Sequence, residues 1–353
     1  MRHTKTLAAL AATVALLVAG CAKKEEPGAA GGGSDELCAD KSGTGPKIGL
    51  AYDIGGRGDH SFNDLAAAGV KKSVDELDAT CEESEAAAQE PDSAKEERLR
   101  TLAEAGFNPI VAVGFVYTEE VNKVAKEYPD KKFAVVDGFA EGPNITNLVF
   151  SVEQGSFLVG VAAGLKTKAK HVGFIGGTRG PIIDPFAAGY KAGVAAVDPS
   201  IKVDMKWLSD KGDDKAFANP GGAKTAATAL YDAGADIVFH ASGLSGGGLF
   251  DVVASKPDGI WAIGVDSDQY QTATPEQQKH ILTSSLKKVD VAVFDFAKAF
   301  KDGTTKPGYD LYDIKRDGVG YATSGGFLDD VTAKIEEYKA KLVSGELTAP
   351  SKL

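Results

Sequence analysis

Two phenylalanines occupy equivalent positions in two similar stretches of the chain. Phe62 follows a glycine-rich turn at 53–60, and Phe186 follows a second such turn at 176–181. In each stretch a short apolar run precedes the turn and a helix pattern follows it. Two aromatic rings on opposite walls of a cleft can sandwich a flat heteroaromatic ring, and this stacking contributes about 1–3 kcal/mol per base. The pair predicts a site for a planar ligand, unless each ring packs into its own lobe.

The residues around the two turns predict helix starts beside this site. Ser61, with Asp64 three positions later, fits a capping box, and Asp184 before a proline fits an N-cap with proline at N1. A third turn, rich in serine and glycine, contains Gly243. Glycine there permits close approach of the backbone to a ligand, or simply a flexible turn.

The sequence lacks the spacings typical of catalytic and metal sites. None of the histidines has H-E-x-x-H spacing, and there is no G-x-S-x-G nucleophile elbow. The glycine turns also lack the spacing of a phosphate-binding P-loop. We therefore expect a binding protein rather than an enzyme, with no metal and no cofactor. The histidines beyond the first twenty residues are His60, His171, His240 and His280.

The candidate ligand-binding residues lie between short apolar runs and stretches with a helical pattern, which alternate along the chain. This alternation indicates an α/β fold of two doubly wound parallel-sheet lobes. Ligands of such sheets bind beyond the carboxyl ends of the strands, so facing lobes create an interlobe cleft that closes by a hinge motion. The stretch 144–150 is interpreted as a crossing between lobes, and 82–88 as a strand or a loop. The predicted strands are 47–52, 109–113, 132–137, 171–175, 202–208, 236–240, 261–265 and 281–284; the predicted helices are 61–77, 119–128, 185–197 and 223–233.

Length and charge narrow the class of protein. A chain of 353 residues exceeds what one core usually holds, so two lobes are expected. We place lobe 1 at 47–148 plus about 285–322, and lobe 2 at 149–284 plus about 323–350. The chain has 39 basic and 50 acidic residues, a net charge of −11. A surface of this sign repels phosphates and disfavours nucleic acid as a partner.

The first residues carry targeting information. A short basic start, an apolar run and two small residues precede Cys21, a pattern that resembles a lipoprotein lipobox. It predicts a signal peptide at 1–20 and lipidation of Cys21, with a chance cysteine after an ordinary signal peptide as the alternative. Residues 21–46 are rich in glycine and polar residues, as in a flexible tether. We expect anchoring by acyl chains to the extracytoplasmic face of the cell membrane.

Two further cysteines, Cys38 and Cys81, remain in the chain. An even pair in an oxidising compartment favours a disulfide. Cys38 precedes the first predicted strand, and Cys81 lies between the first helix and the second strand. Both fall at the amino edge of the same parallel sheet, so they can meet. The alternative is two free thiols.

Several motifs occur together in a characteristic order. They are Tyr52-Asp53, Ser61-Phe62-Asn63, Val113-Gly114-Phe115, Gly264-Val265-Asp266 and Leu282-Thr283-Ser284 with Lys287. Over about residues 46–345 the chain resembles the basic membrane protein family of lipoproteins. The resemblance implies a type I periplasmic-binding-protein fold and a substrate-binding role for an ABC importer. The characterised members of that family mostly bind purine nucleosides.

The resemblance also implies roles for individual residues. Phe62 and Phe186 would clamp the base, and Asp53 and Asn63 would meet polar edges of the ligand. Glu119 is the nearest match to an aspartate that the family often places near the base. Glu119 could instead be only a first-turn acid of its helix.

The sugar of the ligand would meet a charged pair. In the resemblance, the Asp266 carboxylate accepts the ribose hydroxyl protons and Lys287 donates to ribose oxygens; charge-assisted bonds of this kind reject ligands without the sugar. We therefore expect a monomeric binding protein that captures a purine nucleoside for an ABC permease. The alternatives are riboflavin or another small ligand, and a sensor that does not transport.

Overall fold

A computed structural model of the protein describes residues 37–40, 42–87, 90–210 and 212–353. The predicted signal peptide and the lipidation site Cys21 lie outside the described residues. Within the described ranges, no helix combines the length and apolarity needed to cross a bilayer. A disulfide joins Cys38 to Cys81.

The described residues form twelve strands and ten α-helices. The strands are β1 (Lys47–Ala51), β2 (Thr80–Ser84), β3 (Ile110–Val113), β4 (Phe133–Val136), β5 (Ile145–Phe150), β6 (His171–Thr178), β7 (Lys202–Ser209), β8 (Ile237–Ala241), β9 (Trp261–Asp266), β10 (Ile281–Lys287), β11 (Gly308–Tyr312) and β12 (Val319–Tyr321). The helices are α1 (Phe62–Leu77), α2 (Asp92–Glu104), α3 (Thr118–Glu127), α4 (Val152–Lys166), α5 (Asp184–Val197), α6 (Pro220–Asp232), α7 (Gly247–Val253), α8 (Pro275–Gln278), α9 (Val289–Lys301) and α10 (Thr332–Ser344).

The strands form two six-stranded sheets. The first has the order β11-β5-β4-β3-β1-β2, and the second has the order β12-β10-β9-β8-β6-β7. All neighbours are parallel except β12, which runs antiparallel to β10. Strands β3, β4 and β8 are buried along their whole length, which explains their continuous apolar sequences. The predicted α/β fold with two parallel-sheet lobes is confirmed.

The chain passes between the sheets three times: after β5, after β10, and between β11 and β12. These passages correct the predicted lobe boundaries. The prediction places residues 285–287 and 319–321 in the first lobe, but they lie in β10 and β12 of the second sheet. Strand β10 continues to Lys287, and β12 pairs with its last three residues. The stretch 144–150 is β5 of the first sheet rather than a bare crossing.

Close packing of α4 against α5 fixes where α5 begins. Glycines at the contact let the two backbones touch: a Cβ added at Gly193 would lie 2.0 Å from the Phe157 carbonyl oxygen, and one at Gly189 would lie 2.2 Å from that of Glu153. The two helices cannot separate or slide past each other without losing this contact. The contact therefore holds the first turn of α5 at the carboxyl edge of the second sheet.

Candidate functional site

A cavity lies where the carboxyl edges of the two sheets face each other, with about 560 Å³ of space when the part open to solvent is included. Its walls come from both lobes, as expected for a cleft between doubly wound sheets. Seven of the eight residues predicted as ligand contacts line it. These seven are Asp53, Phe62, Asn63, Phe186, Gly243, Asp266 and Lys287.

The eighth predicted contact, Glu119, does not reach this cavity. Its side chain is exposed and lines a separate depression shared with Thr118 and Asp214. A single turn of 3₁₀ helix, Phe115–Tyr117, precedes α3 and carries the start of that helix beyond the cavity wall. Glu119 is therefore a first-turn acid of α3, the alternative interpretation of the sequence.

Three charged residues, which we call the charged end, meet at one side of the cavity. Lys287 Nζ lies 2.6 Å from Asp137 Oδ2 and 3.6 Å from Asp266 Oδ1. All three residues are buried. Asp137 follows β4 of the first lobe, whereas Asp266 and Lys287 end β9 and β10 of the second. One ammonium group thus contacts carboxylates from both lobes.

Burial and the neighbouring charges determine the protonation states of Asp137 and Lys287. Desolvation raises the pKa of Asp137, and the Lys287 ammonium opposes that rise. Burial disfavours the charged form of Lys287, but the carboxylates of Asp137 and Asp266 hold the pKa of Lys287 above its ordinary value. Lys287 is therefore a cation at neutral pH.

Asp266 has unused hydrogen-bonding capacity. Its Oδ2 accepts a 2.8 Å hydrogen bond from the Ser61 hydroxyl, which reaches across from the first lobe. Its Oδ1 is buried and accepts no hydrogen bond from any residue that the structure describes. A buried acceptor without a donor is costly, so Oδ1 is suited to receive an O–H or N–H of a ligand.

The two predicted aromatic residues stand beside the same ammonium group. Lys287 Nζ lies 4.3 Å from the centre of the Phe62 ring and 5.8 Å from the centre of the Phe186 ring. Phe62 begins α1 of the first lobe, and Phe186 lies in the first turn of α5 of the second. The cavity is thus bordered by an aromatic ring from each lobe, next to a buried cation.

Another part of the cavity wall, which we call the turn end, consists of Asp53, Asp59 and Asn63. Asn63 Oδ1 accepts the Asp53 backbone N–H at 3.0 Å, and Asn63 Nδ2 donates to Asp59 Oδ2 at 3.0 Å. Asp59 also accepts the backbone N–H groups of Ser61, Asn63 and Asp64. The predicted capping box is therefore wrong, because Asp59 satisfies the first N–H groups of α1 and Ser61 bonds across the cleft instead.

The second predicted cap is also wrong. Helix α5 begins at Asp184 itself, with Ile183 in the N-cap position and no side-chain cap. The Asp184 carboxylate instead accepts a 3.0 Å bond from Arg179 Nε. Pro185 stands in the first turn, at the second helical position rather than the predicted first.

Burial has a strong effect on two carboxyl groups of the turn end. Desolvation raises the pKa of Asp53 to about 7 and that of Asp59 to about 6, although backbone N–H groups bond to both. Gly114, at φ +102°, lies directly beside Asp53, and a Cβ there would be 2.2 Å from Asp53 Oδ2. Glycine at 114 therefore leaves the space that the Asp53 carboxyl fills.

Sequence reasoning missed several residues of the cavity. Asp137 directly follows the parallel strand β4, and Asp266 is the last residue of the parallel strand β9. An aspartate at the carboxyl end of a predicted strand was therefore a sequence signal for a cavity residue. Phe115 and Phe217 line the cavity too, and their rings contact each other edge to face with centres 6.3 Å apart. Their pairing depends on the approach of the two lobes, which no local pattern encodes. Among the described residues, no cluster of three histidine, cysteine or acidic side chains is placed to hold a metal.

Comparison with known proteins agrees with this architecture. Residues 46–352 match the family described as "ABC transporter substrate-binding protein PnrA-like". The chain is 34% identical to a CD4+ T-cell-stimulating antigen of Listeria monocytogenes, over 92% of this chain and 94% of that protein. It is 29% identical to the ABC transporter nucleoside-binding protein BmpA of Lactococcus lactis, over 98% of both chains. A solute-binding protein of an Aeropyrum pernix ABC transporter system superposes with a TM-score of 0.72 at 25% identity, over 86% of this chain and 94% of that one.

Proposed function

The chain belongs to the PnrA-like family of ABC transporter substrate-binding proteins, and we propose that it captures a purine nucleoside in the cavity between its lobes. The family resemblance seen in the sequence is confirmed by this match. Substrate-binding proteins of ABC transporters bind a small molecule and pass it to a permease. The purine nucleoside, the lipid anchor at Cys21 and action as a monomer are further parts of the proposal.

The charged end carries the proposal. A nucleoside has a flat apolar base joined to a sugar with several hydroxyl groups, so its receptor needs rings and charge-assisted acceptors close together. Phe62 and Phe186 border the same space as Lys287, and Asp266 Oδ1 accepts no hydrogen bond within the described parts of the chain. Vicinal ribose hydroxyls would supply the absent donors, and the ammonium of Lys287 would donate to a ribose oxygen.

Calorimetry on the purified protein tests the ligand. Adenosine, guanosine, inosine, cytidine, riboflavin and free ribose would each be titrated at neutral pH. We expect heat of binding from purine nucleosides. Ribose should bind more weakly or not at all, because it lacks the aromatic base that stacks on the phenylalanines. Binding of riboflavin in preference to all nucleosides would contradict the purine assignment.

The aromatic clamp has its own test with a matched control. Phe62→Ala should weaken nucleoside binding by about 1–3 kcal/mol, because the base loses one stacking face. Phe186→Ala should do the same, although its ring is 2% exposed and its loss also costs stability. Phe139, which is 41% exposed and does not line the cavity, provides the control through Phe139→Ala. Losses below about 0.3 kcal/mol at both clamp positions would count against stacking.

Transport is tested in the cell that makes the protein. Deletion of its gene should abolish uptake of the nucleoside identified by calorimetry, and a Cys21→Ala variant should be released from the membrane. Unchanged uptake with an altered response to the nucleoside would favour a sensor instead.

A further inference from the structure

The short turn Asp213–Asn219 of the second lobe reaches over the cavity toward the first lobe. It contains a 3₁₀ helix, Asp214–Ala218, between β7 and α6. Phe217 of this turn lines the cavity, and its ring meets Phe115 of the first lobe at an interplanar angle of 70°. The turn thus supplies a further aromatic wall on the side of the cavity where Gly114 and Asp53 lie.

The turn is firmly attached to its own lobe. The Asn219 backbone N–H donates to Ser245 Oγ at 2.7 Å, and Ser245 Oγ donates to the Ala216 carbonyl at 2.7 Å. Phe217 packs closely against β6, because a Cβ added at Gly177 would lie 2.5 Å from its ring. The position of Phe217 therefore follows the second lobe when the cleft opens or closes.

Among the described residues, one ion pair ties this turn to the first lobe. Lys95 of α2 extends its Nζ to 3.7 Å from Asp214 Oδ2 and 3.0 Å from Asp92 Oδ1. The Lys95 side chain is only 8% exposed, whereas Asp214 is 27% exposed. A shielded pair between two moving bodies is screened less by salt than a surface pair, so it favours the closed arrangement.

We propose that the Lys95–Asp214 pair holds Phe217 over the turn end of the cavity and so slows release of the bound nucleoside. This inference rests on the proposed function and adds positioning residues to it. Phe217 would contact the base as a third aromatic side chain. Lys95 and Asp214 would act only through the closed position of that ring.

Release rates test the inference on the full chain. Bound radiolabelled guanosine would be chased with excess unlabelled guanosine, and association would be measured separately. Phe217→Ala should speed release by about tenfold, the effect of losing one stacking contact. Asp214→Asn should speed release about threefold, with association changed much less, because a shielded pair across an interface acts mainly on dissociation.

Two further measurements separate the pair from general loss of structure. The charge-swapped double variant Lys95→Asp with Asp214→Lys should recover most of the slow release, which a merely structural loss would not allow. Asp75→Asn removes an exposed ion pair within α1 and should release guanosine at the wild-type rate.

The outcomes distinguish this inference from the function on which it rests. Wild-type release rates in Phe217→Ala or in Asp214→Asn would overturn it while leaving nucleoside binding intact. A charge-swapped variant that releases as fast as Asp214→Asn would also overturn it. Failure of the wild-type protein to bind guanosine or any other purine nucleoside would overturn both.

Discussion

The two ends of the cavity use buried polar side chains in opposite ways. At the turn end, both amide atoms of Asn63 and both oxygens of Asp59 are bonded within the protein. At the charged end, Asp266 Oδ1 accepts no hydrogen bond from the described residues, and Lys287 contacts carboxylates of both lobes. Satisfied groups fix the shape of the backbone, whereas unsatisfied ones are available to a ligand. Discrimination between ligands should therefore be concentrated at the charged end.

Removal of the shared cation would have the largest effect. Lys287→Met leaves Asp137 and Asp266 buried without a counter-charge, which should lower the free energy of unfolding by about 3–5 kcal/mol. Nucleoside binding should fall by more than about 100-fold. Urea denaturation and calorimetry measure the two effects, with Lys288→Met as the neighbouring control. A variant as stable as the wild type would show that the charged end is not electrostatically dependent on Lys287.

A smaller change at the same end tests its selectivity. Asp266→Asn should weaken the binding of ribosides by about 1.5–3 kcal/mol, which is the usual contribution of a hydrogen bond to a charged group. Free guanine or adenine should be affected far less, because they lack the hydroxyl groups. Parallel titrations of each base and its riboside provide the comparison. Equal losses for both would remove the proposed contrast between the two ends.

The contribution of the turn end to protein stability should depend on pH, whereas we expect no dependence of that end on the sugar of the ligand. The pKa of Asp53 is raised by burial from 3.8 to about 7, so the folded protein keeps a proton that the unfolded chain has released. The stabilising contribution is complete below pH 3.8 and is lost as pH rises toward about 7. Between these values the free energy of unfolding should fall by up to about 1.4 kcal/mol per pH unit from this one group.

The matched variant isolates this contribution. Asp53→Asn cannot release the proton, so the difference in unfolding free energy between wild type and variant should change with pH across that window. Urea denaturation at several pH values measures it, and titrations of other groups cancel in the difference. A pH-independent difference would show that Asp53 does not keep a raised pKa in the folded protein.

The smallest effect is expected outside both ends. Glu119→Gln should change nucleoside affinity by less than about 0.5 kcal/mol, because its exposed side chain faces a separate depression. Calorimetry with guanosine and adenosine measures this change. A shift in preference between the two bases would restore the base-recognition role that the sequence suggested.

Local patterns are enough to predict most strands and the aromatic pair. They do not reveal helix α4, because it is buried on nearly all sides and lacks the amphipathic period that marks a surface helix. Serine is a good N-cap, so the sequence favours Ser61 as the α1 cap, but the Asp266 carboxylate of the other lobe provides a stronger partner. Errors of this kind arise wherever a residue's partner is distant in sequence.

Among the cavity residues, those belonging to one turn are predictable and those paired between lobes are not. Asp53 and Phe62 stand in one short motif, whereas Asp137 gains its role only through Lys287, 150 positions later. The distance in sequence from Gly114 favours Glu119 as a ligand contact. The 3₁₀ turn between the two residues instead places Glu119 outside the cavity. Sequence distance along an irregular turn is a poor guide to direction in space.

The three passages of the chain between the sheets have a practical consequence for protein engineering. In the described part of the chain, β11 pairs only with β5 and β12 pairs only with β10, so each sheet is completed by residues near the carboxyl terminus. A chain cut between residues 150 and 152 would leave the first half without β11, because that strand would stay on the second half. A fluorescent reporter for ligand closure should therefore be inserted into an exposed loop of the intact chain, not fused to a separated lobe.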